Sequence, residues 1–200
     1  LDNIDVTDGA TPGVLDLGSD DYYLTDETFQ STSNATVRNC YTWKKEIFSS
    51  ASASDWNNPY EIIYKCNVVL EGLDNFEVGN KSDSISWNTI FGSALFIRAF
   101  EHYQLEETFG QPYKPTTATT DLGIPLKLTA NLTSISTRST VQRVYDRIIA
   151  DLKLSTTLLP VTSATKNRPN KAAAYALLAR VSLSTQNYEN ALLYADSSLQ

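Results

Sequence analysis

Apolar residues recur along most of this chain at the spacing of α-helices. From Asp55, a candidate N-cap, an apolar or aromatic side chain follows every three or four positions as far as Leu70. We expect this helix to end at Gly72. A second helix is expected over about 84–108, because Gly110 follows it and glycine tolerates the left-handed conformation of many helix ends. The pattern predicts two long helices in the first part of the molecule.

Three further helices are expected in the second half. The first begins at a capping box made by Ser139 and Gln142 and ends before Pro160. The last two have the spacing of a tetratricopeptide-repeat pair, in which small residues at 179 and 191 let the helices approach closely. One repeat cannot bury its own apolar face. The faces expected to be buried are Ala174, Leu177, Leu178 and Val181 in the first helix, and Tyr188, Ala191, Leu192, Ala195 and Leu199 in the second.

The remaining chain is rich in turn-forming and small polar residues. Residues 1–55 are predicted to be an irregular, loop-rich N-terminal segment, and residues 56–200 a tetratricopeptide-like helical domain that stops within a repeat. Within that domain, 111–138 reads as a long insertion with a short extended piece, DLGIPLKL. The predicted fold is therefore mainly α, with helical pairs and long irregular loops.

The helix around residues 91–104 is apolar on nearly every side, so we expect other helices to flank it. The helix at 140–154 is its expected partner. Arg98 lies on the apolar face, and its burial requires a carboxylate or helix-end carbonyls from another segment. Arg180 repeats this pattern and is given the same structural role. Asn67 is expected to be a buried amide that bonds the backbone.

Composition and charge exclude several classes of function. The chain is 42% hydrophobic and 20% charged, and its net charge of −7 disfavours nucleic acid and charge-driven binding to anionic lipid. Its apolar runs are too short to suggest a membrane span. Cys40 and Cys66 are too few for a disulfide framework, and we expect buried free thiols, with one disulfide as the alternative.

Catalysis has little support in the sequence. His102 is the only histidine, and we expect a core or groove residue with one hydrogen bond rather than a general base. Glycoside hydrolysis needs only two placed carboxylates, and 23 acids are present, but solvated side chains explain the adjacent pairs 20–21 and 106–107. We therefore predict no enzyme, no metal and no cofactor.

Ligand binding has better candidates, because saccharide rings pack on aromatic side chains and their hydroxyls need polar partners. The stretch VRNCYTWKKE lies outside any convincing helix, and an acidic stretch precedes it. The predicted ligand-binding residues are Arg38, Asn39, Tyr41 and Trp43 in the first stretch, and Asp20 and Asp21 in the second. Packing of Tyr41 or Trp43 into the core, and local folding contacts of the acidic stretch, are the alternatives. Trp56 is interpreted as packing, and both interpretations stay open for Trp87.

The order of motifs over about residues 40–200 resembles one known family. The motifs are WNNPYEIIYKCNVVLEGL, GSALFIRAFEHYQLEETFGQPY, DLGIPL, STRSTVQRVYDRIIADL and RPNKAAAYALLARVSL. Together they resemble the N-terminal half of SusD/RagB-family outer-membrane lipoproteins, and VLDLGSDDYYLTDETFQ is similar to the family's acidic segment. Family members have a lipid-bearing N-terminal cysteine, which this sequence lacks, and are usually more than twice as long.

The resemblance implies a function and a partner. It implies a surface-exposed glycan-binding protein, lipid-anchored to the outer membrane in its full-length form, that delivers its cargo to a TonB-dependent, SusC-like transporter. Two alternatives stay open. This half could be mainly a helical scaffold that docks on the transporter, with the ligand contacts elsewhere, or the cargo could be a peptide.

Overall fold

A computed structural model describes residues 13–48, 54–163 and 165–200. These residues form eight α-helices and one two-stranded antiparallel sheet. The helices are α1 (Val14–Leu17), α2 (Asp26–Ser31), α3 (Ala35–Tyr41), α4 (Ser54–Asp74), α5 (Lys81–Phe109), α6 (Val141–Leu158), α7 (Lys171–Ser184) and α8 (Tyr188–Ser198), and the strands are β1 (Leu122–Pro125) and β2 (Arg138–Thr140). The mainly α prediction is confirmed. Residues 13–48, expected to be irregular, contain three short helices, and the proposed division into two segments stays a prediction.

Several helices begin at asparagine or threonine side chains that cap the first turn. Asn80 accepts a hydrogen bond from the Asp83 N–H at the start of α5. The predicted capping box of α6 is wrong by one residue, because Ser139 belongs to β2 and Thr140 accepts the Arg143 N–H instead. Asp55 is also not the predicted cap, since α4 already includes Ser54.

Helix α5 lies at the centre of the molecule. It packs on α4 and on α6, α7 packs on α6, and α8 packs on α7. The predicted pairing of α5 with α6 is thus confirmed. One core cluster joins the helices and the sheet, and its fully buried side chains include Ile63, Ala99, Leu105, Ile124, Val144, Ile148, Leu152 and Leu178. The buried face predicted for α7 is confirmed at all four positions.

The face predicted to be buried on α8 is wrong. Tyr188, Leu192 and Leu199 are exposed, and α8 has no fully buried residue. The side that meets α7 instead carries Tyr194, whose ring stacks on Tyr175 with the centroids 6.2 Å apart. Among the described residues α7 is the one helix with extensive contact to α8, so the rest of its surface stays exposed.

The predicted carboxylate partner of Arg98 exists. Its Nε and Nη2 atoms donate to Oδ2 and Oδ1 of Asp151 on α6, at 2.8 and 2.9 Å, and the side chains are only 5% and 1% exposed. Arg147 also contacts Asp151, and Nη1 of Arg98 donates to the side-chain oxygen of Asn67. Arg180 does not repeat this arrangement, because it is exposed and lies over the ring of Tyr103, with 5.8 Å from Cζ to the centroid.

Both cysteines are free and buried, as predicted. The Cys40 thiol donates to the Val14 carbonyl at 3.0 Å, and burial raises the pKa of Cys66 to about 12. Both thiols are therefore neutral at ordinary pH. Within the described ranges no helix has the length and apolar character needed to cross a membrane.

Candidate functional site

The first half of the predicted contact stretch is helical, contrary to expectation. Arg38, Asn39 and Tyr41 belong to α3, and their polar groups have local partners. The Arg38 guanidinium lies 4.8 Å from the centroid of the Phe29 ring, and the Asn39 amide donates to the Ile47 carbonyl at 3.2 Å. The Tyr41 hydroxyl accepts the Leu24 N–H at 3.0 Å. These contacts organise the local chain, and a role in ligand binding stays a prediction.

Trp43 is the predicted residue that presents most surface. Its side chain is 75% exposed, and its backbone has φ of 53°, in the left-handed region that disfavours residues other than glycine. It borders a shallow surface groove whose other described lining residues are Val14, Leu15, Gly18, Cys40, Lys44 and Ile47. An exposed ring at a strained position is a feature often found at binding sites.

Asp20 and Asp21 are exposed, and neither makes a hydrogen bond or ion pair within the part of the chain described. The neighbouring Tyr22 donates its hydroxyl to the Leu17 carbonyl at 2.7 Å and packs on Tyr41, with 5.8 Å between the ring centroids. Local folding contacts therefore account for Tyr22. The two aspartates keep their predicted role as candidates only.

A second concave surface lies between α4 and the chain that follows β1. It encloses about 300 Å³. Its described lining residues combine three aromatic rings with amides, hydroxyls and one lysine: Trp56, Asn57, Tyr60, Tyr64, Asn67, Pro125, Lys127, Thr129, Asn131, Leu132 and Ser136. We call it the aromatic cleft. This mixture of ring faces and a few polar groups is typical of small-molecule and saccharide sites.

The aromatic wall of the cleft follows from the helical period of α4. Trp56, Tyr60 and Tyr64 are four residues apart, so they form one stripe that spans about 12 Å along the helix. Trp56 and Tyr60 contact each other at 5.1 Å between ring centroids, and Trp56 meets the edge of Phe109 at 5.0 Å. The predicted packing role of Trp56 is thus correct in part, because the half-buried ring also faces the cleft.

Hydrogen bonds from α4 fix the opposite wall. The Tyr60 hydroxyl donates to the Pro125 carbonyl at 2.8 Å, and burial together with the negative charge of Glu106 raises the pKa of this tyrosine. Asn67 donates to the carbonyls of Lys127 and Thr129 at 3.0 and 3.1 Å. The backbone role predicted for Asn67 is therefore confirmed, and the segment after β1 is held against the aromatic stripe.

Arg98 on α5 orients the side-chain amide of Asn67. Its Oδ1 accepts from Nη1 of Arg98 at 2.9 Å, and Asp151 fixes the rest of that guanidinium. Since Asn67 is fully buried, its two donors are left to the backbone of the cleft wall. A connected set of buried polar groups thus links α6, α5 and α4 to the cleft.

Acidic groups lie behind the cleft rather than in it. Among the described lining residues none carries a carboxylate. Glu106 is buried and accepts the Ile124 N–H at 2.9 Å, and burial raises its pKa to about 7. A Cβ at Gly110 or Gly123 would lie within 2.4 or 2.6 Å of this carboxylate. At Gly110 the backbone oxygen of Glu106 is also within 2.6 Å, so close approach requires glycine there. The left-handed helix end predicted for Gly110 is wrong, since its φ is −80°. At Gly123 an added Cβ would have to displace the Glu106 carboxylate.

Glu101 and His102 are fully buried on α5. The Glu101 carboxylate has no hydrogen-bond partner among the described residues, and the single hydrogen bond expected for His102 stays a prediction. Burial raises the pKa of Glu101 to about 8 and lowers that of His102 to about 4. Glu101 is therefore mainly protonated and His102 is only a weak base at neutral pH, and neither is among the described residues that line the two concave surfaces, which suits core residues better than a general base.

Sequence reasoning missed the cleft because its signals also describe a core. Aromatic residues at four-residue intervals are typical of a buried helix face, and Trp56 is interpreted as packing for this reason. The polar wall comes from residues 60 to 65 positions away. The one sequence signal for the cleft was the polar residue Asn67, which follows Trp56, Tyr60 and Tyr64 at helical spacing.

The structure thus combines paired helices with a concave surface lined by aromatic and polar side chains. A family model described as "Starch-binding associating with outer membrane" matches residues 13–183. The chain therefore belongs to the SusD-like family, which consists of carbohydrate-binding, non-catalytic proteins associated with the outer membrane. This confirms the family resemblance and the prediction that the chain is not an enzyme.

Individual relatives agree with this assignment. The SusD-like protein P2 of Formosa agariphila is 31% identical over 139 residues, which are 68% of this chain and 25% of the relative. A SusD superfamily protein from Bacteroides vulgatus superposes with a TM-score of 0.72 at 26% identity, covering 100% of this chain and 47% of the other. A laminarin-binding SusD-like protein has the same fold, with a TM-score of 0.71 at 18% identity, over 96% and 40% of the two chains. The chain thus spans less than half the length of these relatives.

Proposed function

We propose that this chain binds a glycan in the aromatic cleft and belongs to a protein that delivers glycan to a TonB-dependent, SusC-like transporter. The observation that carries the proposal is the cleft itself. Its stripe of Trp56, Tyr60 and Tyr64 offers ring faces to the C–H surfaces of sugars, and the amides and hydroxyls opposite can bond sugar hydroxyls. The absence of carboxylates from the described lining fits capture without hydrolysis.

Family membership supports the wider role. The family description associates starch binding with the outer membrane, and one structural relative is a laminarin-binding protein. Surface exposure and a lipid anchor on the full-length protein are part of this proposal. So is the transporter, which would receive the glycan from the cleft.

Calorimetry and affinity gels with a panel of soluble polysaccharides test the proposal. We would compare the 200-residue chain with Tyr64→Ala, because Tyr64 is half-buried and its ring lines the cleft. Loss of one stacking ring from a compact site should weaken binding at least about tenfold. Circular dichroism and a thermal melt establish that the variant remains folded.

Trp43→Ala is the matched control, because it removes an exposed ring from the other concave surface. Binding that survives Trp43→Ala and weakens in Tyr64→Ala supports the aromatic cleft. The reverse result would move the site to the predicted stretch around Trp43. Absence of binding to every glycan, with a folded chain, contradicts the proposal for this half, and adding peptides to the panel tests the alternative cargo.

One observation favours a second candidate function, a docking scaffold. On α8, Leu192 and Leu193 are 74% and 56% exposed, Leu199 just after the helix is 88% exposed, and Leu183 on α7 is 59% exposed. A partner site of this kind would need these leucines to form one apolar surface. Leu192→Glu should then abolish co-purification with the transporter and leave glycan affinity unchanged. Retained co-purification would exclude this face as the docking surface.

A further inference from the structure

Lys127 is the one charged residue among the described residues that line the aromatic cleft. It follows β1 on the wall opposite the ring stripe, and Asn67 holds its backbone carbonyl. The position of the chain at this point is therefore fixed by a buried amide. Any ligand that packs on the rings therefore shares the cleft with part of the Lys127 side chain.

The ammonium group is oriented by neutral partners alone. Its Nζ donates to the backbone carbonyl and to the hydroxyl of Ser134, both at 3.0 Å. A lysine ammonium has three N–H donors, and the third has no acceptor within the described ranges. The ion pairs found there join Arg98 and Arg147 to Asp151, and Lys65 to Glu61, so they leave the charge of Lys127 uncompensated.

This arrangement differs from that of Lys65 on the adjoining helix. Lys65 pairs with Glu61 across one helical turn at 2.7 Å, in an exposed position. The partners of Lys127 within the described ranges are instead the carbonyl and hydroxyl oxygens of Ser134. Two hydrogen bonds also restrict the flexible lysine side chain before a ligand arrives, which lowers the entropic cost of a new contact.

We propose that the cleft selects a saccharide that carries an anionic group, a carboxylate or a sulfate ester, and that Lys127 contacts this anion while the aromatic stripe packs against the sugar rings. The inference rests on the proposed glycan-binding function and names its ligand class. Hydrogen bonds between charged groups are roughly twice as strong as neutral ones, so one such contact can separate an acidic sugar from its neutral counterpart.

Matched pairs of polysaccharides test this selection. The pairs are polygalacturonate with its methyl ester, glucuronoxylan with its carboxyl-reduced form, and sulfated carrageenan with its desulfated form. Each is titrated against the 200-residue chain, Lys127→Met and Lys153→Met. The control Lys153 is exposed on α6 and does not line the cleft, and both variants change the net charge equally. Long-range electrostatics are thereby matched.

We expect the acidic member of at least one pair to bind about tenfold or more tightly than its neutral partner. Lys127→Met should remove that difference and Lys153→Met should keep it. The pair that responds tells a carboxylate from a sulfate. Neutral members that bind as tightly, or a preference that Lys127→Met leaves intact, overturn the inference while glycan binding stands. Absence of binding to every glycan overturns both proposals.

Discussion

Replacement of Arg98 by methionine is the perturbation whose effect the structure defines best. Methionine keeps the aliphatic part of the side chain and removes the guanidinium from a site where the arginine is 5% and its partner Asp151 only 1% exposed. Removal of one partner from a buried ion pair costs about 3–5 kcal/mol, because the other charge stays buried. Arg147 still contacts Asp151 in the variant, so we expect a loss of about 3 kcal/mol.

Urea denaturation followed by circular dichroism measures this loss, and a thermal melt should show a Tm lower by roughly 6–12 °C. Lys65→Met is the control, because it breaks an exposed ion pair with Glu61 that should contribute less than about 1 kcal/mol. Arg98→Met combined with Asp151→Leu should recover part of the stability, since the buried carboxylate is then absent and Arg147, which loses its partner, is 35% exposed. If Arg98→Met costs no more than Lys65→Met, the buried network does not stabilise the fold and our reasoning is refuted.

Two further predictions concern the glycines and the buried acids. Gly123→Ala should destabilise the fold by about 2 kcal/mol, because the added Cβ would displace the Glu106 carboxylate from a buried hydrogen bond. Gly72→Ala is the control, because its added Cβ meets no atom within 4 Å, and it should stabilise α4 by about 0.5–1 kcal/mol. Equal effects in urea titrations would contradict this. Glu101 has its pKa raised from 4.5 to about 8, so the folded state binds the extra proton between these values and stability falls as pH rises through this interval. Glu101→Gln should lose about 3 kcal/mol less than the wild type between pH 6 and 9, and parallel stability curves would show that Glu101 does not titrate in this window.

The fate of Arg98 and Asn67 shows how far sequence reasoning reaches. A charge and an amide on apolar helix faces must find partners, and this requirement predicted a carboxylate for Arg98 and backbone groups for Asn67. The identity of those partners was not predictable. Asp151 lies 53 residues after Arg98, and the carbonyls that Asn67 binds lie 60 and 62 residues away. Burial rules state that a partner exists, whereas only chain packing selects it.

The two concave surfaces illustrate the same limit for function. The sequence suggested an aromatic contact stretch around Trp43, and the structure leaves that ring exposed beside a shallow groove. The aromatic cleft needed a second wall, which the insertion after β1 supplies. The spacing of Trp56, Tyr60 and Tyr64 does not reveal whether these rings pack against another helix or face an open cleft, because both environments favour aromatic residues.

Local patterns in the sequence determined the five longer helices, α4 to α8, the face of α7 that is buried and the membership of a family. These properties depend on residues a few positions apart, or on motifs in a fixed order, so the sequence states them directly. Tertiary structure alone decided the exposure of α8, the partner of Arg98 and the cleft between α4 and residues 125–136. Each of these depends on which distant segments meet, and that outcome is set by the packing of the whole core.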